Sequence, residues 1–271
     1  MSTIINSDAL RNLTTAQAGF TAYADRLIQN IDFSAIAAAS ERFSEQQTAL
    51  LKNLVPAMDA MRARFYPPNL RGIDRLDFAS VNHIVMAEGI PLYGVPRTSV
   101  VEALIRTESE PARRAILGRR WKTISAGCRE LLTGCTAPAI AQYVPVALAA
   151  LNALEAGHPM AAQALIGSLT DVVVNGYFSK NRYDFTPGKK NLTNEAYEEF
   201  TIREFIAFAP IWQAYQQFFV SNGDKIPLTF SRNATVHTVS SRQYSRRNVV
   251  QGLMLVTSLL YRWNEKVAAK P

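Results

Sequence analysis

The 271-residue chain has only three histidines and two cysteines, and these shortages remove most metal and thiol chemistry at the outset. Cys128 and Cys135 are separated by six residues with no histidine near them. That spacing fits neither a zinc site nor a CxxC redox pair, so two buried thiols are expected, and no metal or cofactor. A glycine-rich phosphate loop, an HExxH helix and a GxSxG elbow are all missing. Nucleotide hydrolysis, zinc hydrolysis and triad catalysis therefore have no carrier. The start, MSTIINSDALRNLTT, shows no basic region followed by an apolar run, and Asp8 comes early, which reads as cytoplasmic, not secreted. The longest uncharged stretch, Leu131 to Leu154, is diluted by alanine, broken by Pro138 and Pro145 and anchored by no basic cluster, so no membrane span is expected.

What remains is a chain with 48% hydrophobic residues, enough for one large domain or two ordinary ones. Apolar residues recur at helical spacing, so the fold class is mainly α. Ser7 and Asp8 suit the start of a first helix to about Asn30. A second follows Asp32-Phe33-Ser34, aligns Phe43, Leu50, Leu54, Met58, Met61 and Phe65, bends at Pro56 and stops at Pro67-Pro68. The two read as an antiparallel hairpin. Residues 69–96, with three glycines and two prolines, read as a loop with short strands or a short helix. Ser109 then opens a helix with Leu117, Trp121, Ile124, Cys128 and Leu131 in one stripe, closed by Gly134. The second half shows four helices, at about 138–156, 159–177, 193–222 and 244–265. Phe205, Phe208, Trp212, Tyr215 and Phe219 of the third read as core. The fourth has Val249, Leu253, Val256, Leu260 and Trp263 on one side and Val250, Met254 and Leu255 on others, as in a helix central to a bundle or to a dimer interface. The chain divides into a helical N-terminal region, 1–134, open to a protein partner, and a four-helix region, 135–271.

Charge is concentrated. Between Lys225 and Pro271 stand eight basic residues and one acid, Glu265, a net +7 that equals the excess of the whole chain. Such a segment suits a phosphate-bearing partner or, in the bland case, a solvated tail. Within it runs LTFSRNATVHTVSSRQYSRRN, where Arg232 is followed by Asn233 and, after four intervening residues, by His237. A histidine titrating near neutrality can take the proton of an RNA 2′-hydroxyl, while an arginine fork matches phosphate oxygens.

The Arg, polar residue and spaced His before a final helix resemble the HEPN family (higher eukaryotes and prokaryotes nucleotide-binding domains), over about residues 137–265. The resemblance implies a four-helix bundle and metal-independent ribonuclease chemistry. It implies a homodimer whose site is completed by a second copy of the motif, and roles such as toxin or anti-phage effector. Arg232 would stabilise phosphate charge, His237 would act as acid and base, and Asn233 would orient the imidazole or the phosphate. Arg242, Tyr244, Arg246 and Arg247 would contact RNA phosphates and bases. Thr238 stands where relatives often have glycine, and Val239 where some toxins carry a modified tyrosine, so control by tyrosine modification is not implied. A non-catalytic RNA-binding or regulatory module and a protein-interaction scaffold remain open beside the nuclease. Ser168, Asp171 and Asn175 read as a solvent-facing stripe or as an intrabundle contact to the motif. His83 and His158 read as structural.

Overall fold

The computed structural model describes residues 60–74, 76–188 and 193–269. The expected N-terminal hairpin lies outside these residues except for its end, where a helix stops after residue 65 ahead of Pro67 and Pro68. The protein is mainly helical, with no strand among the described residues.

Ten α-helices follow in order: α1 Pro68–Arg71, α2 Phe78–Asn82, α3 Thr98–Ile105, α4 Glu110–Arg119, α5 Trp121–Thr133, α6 Val144–Glu155, α7 Pro159–Phe178, α8 Ile202–Ala214, α9 Arg232–His237 and α10 Arg246–Ala268. Their starts follow local chemistry. Proline occupies the first turn of α1, α4, α6 and α7, where its missing N–H costs nothing. Asp77, Thr201, Ser231 and Ser245 cap α2, α8, α9 and α10 with side-chain oxygens.

The organising element is α10. Every residue from Asn248 to Leu260 is buried, because α4, α5, α6, α7 and α8 all pack around it. Its apolar circumference is thus covered within one chain, and burial of this helix does not call for a second copy. The enclosing set also exceeds the four helices expected, since α5, from the N-terminal side of residue 134, lies directly on α10 and buries Ile124, Cys128 and Leu132. One apolar core runs from Leu70 to Leu260 across that boundary. Where α10 passes α7, Gly252 allows contact: a Cβ there would fall 2.8 Å from Ile166 Cγ2 and 2.9 Å from the Phe230 ring.

Several expectations are corrected in detail. The helix expected from Ser109 to Gly134 is two, split at Arg120. The helix expected over 193–222 is shorter, set by the Thr201/Glu204 capping box and finished at Ala214. The uncharged stretch 131–154 is interrupted between Thr133 and Val144, and no helix among the described residues is long and apolar enough to cross a membrane. Of the loop with short strands or a short helix expected over 69–96, the structure forms the short helices α1 and α2, then a π-helical turn at His83–Ala87 and a buried strap carrying Ile90, Leu92, Tyr93 and Val95. Side chains replace a sheet partner here. Gln251 Nε2 donates to the carbonyls of Glu88 (3.1 Å) and Gly89 (2.7 Å), Ser258 Oγ to that of Tyr93 (2.9 Å), and Asn69 Nδ2 to those of Leu92 (3.0 Å) and Pro96 (2.8 Å).

Candidate nucleic-acid interface

Segment 227–245 carries most of the residues singled out by sequence, and amide side chains hold it in place. Gln243 is fully buried; its Nε2 donates to Thr229 O (3.1 Å), and its Oε1 accepts from Ser231 N–H (3.1 Å) and from Gln163 Nε2 on α7 (3.1 Å). Gln251 Oε1 accepts from Phe230 N–H (3.2 Å), and Asn248 Nδ2 donates to Gln243 O (3.0 Å). Buried polar groups left unpaired cost about 1–3 kcal/mol each, so these bonds specify one path for the segment. Tyr244 donates its hydroxyl to Thr235 O (2.7 Å), which makes it a strut within the segment.

The motif is not a loop but the short helix α9. Arg232 opens it and His237 ends it, five positions on, which turns them about 140° apart around the axis with a rise of about 7.5 Å. Arg232 turns toward α7: its Nη2 lies 3.4 Å from Asp171 Oδ2, and its guanidinium centre lies 6.0 Å from the Tyr215 ring. Asp171 also meets Arg182 Nη1 at 3.6 Å and accepts the Tyr215 hydroxyl at 3.2 Å. Burial, and then the Asp171 charge, push the Tyr215 phenol above its usual value, so it stays a donor. Asn233 Nδ2 donates to Tyr215 O and Gln216 O, both at 3.0 Å, and so closes the end of α8. His237 is exposed. The fold therefore uses Arg232 and Asn233 as anchors and leaves His237 facing solvent. Of the α7 stripe, Ser168 faces solvent, Asp171 makes the contact to the motif, and Asn175 accepts from Arg182 Nη1 (2.5 Å).

A second group forms where the first turn of α10 meets the α4–α5 junction. The Arg246 guanidinium centre lies 5.2 Å from the Trp121 ring centre, and Lys122 Nζ lies 5.7 Å from it. Such contacts hold a cation against an indole while leaving it solvated. Arg247 lies across Gly118, where a Cβ would come within 2.9 Å of its Cγ. Arg119 and Arg120 are exposed beside Trp121, and Arg242 is exposed with its carbonyl bonded to Asn248 Nδ2 (3.3 Å) on the same first turn. Arg119, Arg120, Lys122, Arg242, Arg246 and Arg247 form no ion pair among the described residues. Sequence reasoning found Arg242, Arg246 and Arg247 and missed Arg119–Lys122. The signal was present: no acid occurs from Pro111 to Arg129 or from Lys225 to Asn264.

Other groups are occupied elsewhere. His83 Nε2 lies 3.3 Å from buried Glu88, which is paired with buried Arg113, while His158 sits exposed before α7. Both cysteines are free and buried. No three His, Cys, Asp or Glu side chains converge as a metal site would require among the described residues. Comparison of the chain with family models, with curated proteins and with solved structures returns no match.

Proposed function

We propose that the protein binds nucleic acid, RNA in the first instance, by its phosphate backbone across the face made by Arg119, Arg120, Lys122, Arg242, Arg246 and Arg247. One observation carries this reading: exposed cations from two stretches of chain, separated by α6, α7, α8 and α9, meet where Arg246 lies against Trp121 and Arg247 across Gly118, and none of them forms an ion pair among the described residues. Arg246 and Arg247 stand at the N-terminus of a long helix, where positive charge opposes the backbone dipole. A phosphate there offsets both. The Trp121 ring already carries two cations, so it supports the face instead of stacking on bases, and recognition follows charge more than base identity.

A second reading keeps the metal-independent ribonuclease of HEPN type, as a homodimer. Exposure of His237 on the helix that begins with Arg232 favours it, while the Asp171 contact occupies Arg232. Asn233 serves as an anchor in either case. Binding of labelled single-stranded RNA, with DNA of equal length beside it, separates the outcomes. Arg119→Glu/Arg120→Glu should weaken binding as strongly as Arg246→Glu/Arg247→Glu; unchanged binding in either pair would remove the proposed face. RNA cleavage that survives a chelator, leaves 2′,3′-cyclic phosphate ends and vanishes in His237→Ala would favour the nuclease.

A further inference from the structure

At the opposite end of α10 from Arg246 and Arg247, a cleft lies where the chain around residue 64 meets the start of α8 and the last turns of α10. It is an open cleft of about 720 Å³ lined by Arg64, Phe65, Ile202, Arg203, Arg262 and Glu265. Sites for small organic ligands commonly span roughly 300–1,000 Å³ and pair apolar walls with a few placed charges.

The charges of the cleft do not cancel. Glu265 is already satisfied: Oε1 accepts Arg203 Nη2 at 2.8 Å, and Oε2 accepts the hydroxyl of Tyr93. Arg203 also donates to Tyr93 Oη (2.9 Å) and Ala63 O (3.4 Å), which fixes its fork between α10 and the residue 60–65 helix. Arg262 reaches Glu204 at 3.2 Å and Glu265 at 3.9 Å, yet its buried Nε has no hydrogen-bond partner. Arg64 is exposed and forms no ion pair among the described residues. Three arginines thus share two carboxylates, with one positive charge and one buried donor left over.

We infer that this cleft binds a small organic anion, its phosphate or carboxylate end held by Arg64 and Arg262 and its apolar body resting on Phe65 and Ile202. A guanidinium fork accepts either anion, and a charge-assisted hydrogen bond strengthens where water is partly excluded. Glu265 and Tyr93 hold Arg203 in place and exclude a second anion from the inner wall.

Isothermal titration of the full chain with phenyl phosphate, benzoate and inorganic phosphate tests this. Phenyl phosphate or benzoate should bind saturably at one site per chain, and the tighter of the two names the anion. Arg64→Gln, at an exposed position that leaves folding intact, should weaken that binding by about tenfold. Arg119→Glu/Arg120→Glu should leave it unchanged, which separates this cleft from the RNA face. Absence of saturable binding at millimolar concentration, equal affinity in Arg64→Gln, or inorganic phosphate binding as tightly as both aromatic anions would overturn the inference.

Discussion

Replacing Arg246 and Arg247 by glutamine removes two of the six exposed cations of the basic face and leaves the Ser245 cap in place. Glutamine is a good helix former, so α10 should keep its first turn. Each phosphate neutralised on a single strand contributes about −0.7 to the slope of log K against log salt, so six contacts predict about −4 and four predict about −3. Between roughly 50 and 200 mM salt, wild-type affinity should fall about 300-fold and that of the variant about 50-fold. Fluorescence anisotropy of a labelled single-stranded RNA, titrated at several salt concentrations, reads both slopes. The variant should also bind more weakly at the lowest salt. Coincident slopes would refute the reasoning, because they would mean that these arginines meet no phosphate. The same loss of slope is expected from Arg119→Gln/Arg120→Gln, which perturbs the other half of the face.

Gln251→Leu orphans Phe230 N–H and the carbonyls of Glu88 and Gly89. It should cost about 3 kcal/mol or more and lower the midpoint of a thermal melt by about 6–12 °C, and a loss below about 1 kcal/mol would count against the strap's dependence on α10. Gly252→Ala forces a methyl against Ile166 and Phe230 and should cost about 1–3 kcal/mol, whereas Gly72→Ala, which meets open space, should be near neutral in the same chemical denaturation series. Burial holds the Cys128 thiol at about 12 and that of Cys135 at about 11, against an ordinary value of 9.0. Both should resist alkylation at pH 8 in the folded protein and react on denaturation. Because the folded pKa values are raised, their contribution to stability is complete below pH 9.0 and declines as pH rises toward 11 and 12, which denaturation at stepped alkaline pH would register.

Helices with a one-sided apolar stripe were legible. The expected 159–177 and 244–265 helices correspond to α7 and α10 within a few residues, because Pro159 and Ser245 mark their starts and periodic burial continues through both. The end of α8 was not, because it depends on Asn233, whose amide takes the carbonyls of Tyr215 and Gln216 from a distant part of the chain. Nor was the strap at Ile90–Val95, since its hydrogen bonds come from Gln251, Ser258 and Asn69, side chains that leave no local pattern. Sequence placed α10 at a bundle centre or a dimer interface, and packing by α5 from the N-terminal side covers part of it within one chain. The basic segment was visible as a net charge. Its counterpart at Arg119–Lys122 was hidden because acids elsewhere before residue 225 cancel it in any total taken over that length.

The position of α10 in chain order sets a schedule for folding. Helices α4 to α8 emerge first, each with an apolar side meant for a helix not yet made, and residues 246–268 must then enter among them. Contacts of such long sequence separation are slow to form and leave apolar surface uncovered in the interval. The proposed phosphate-binding face is subject to the same delay, since Arg246 reaches Trp121 only when α10 has seated. A nascent or partly folded chain would therefore carry Arg119, Arg120 and Lys122 without their partners. On the proposed reading, strong phosphate binding would report that the core has closed.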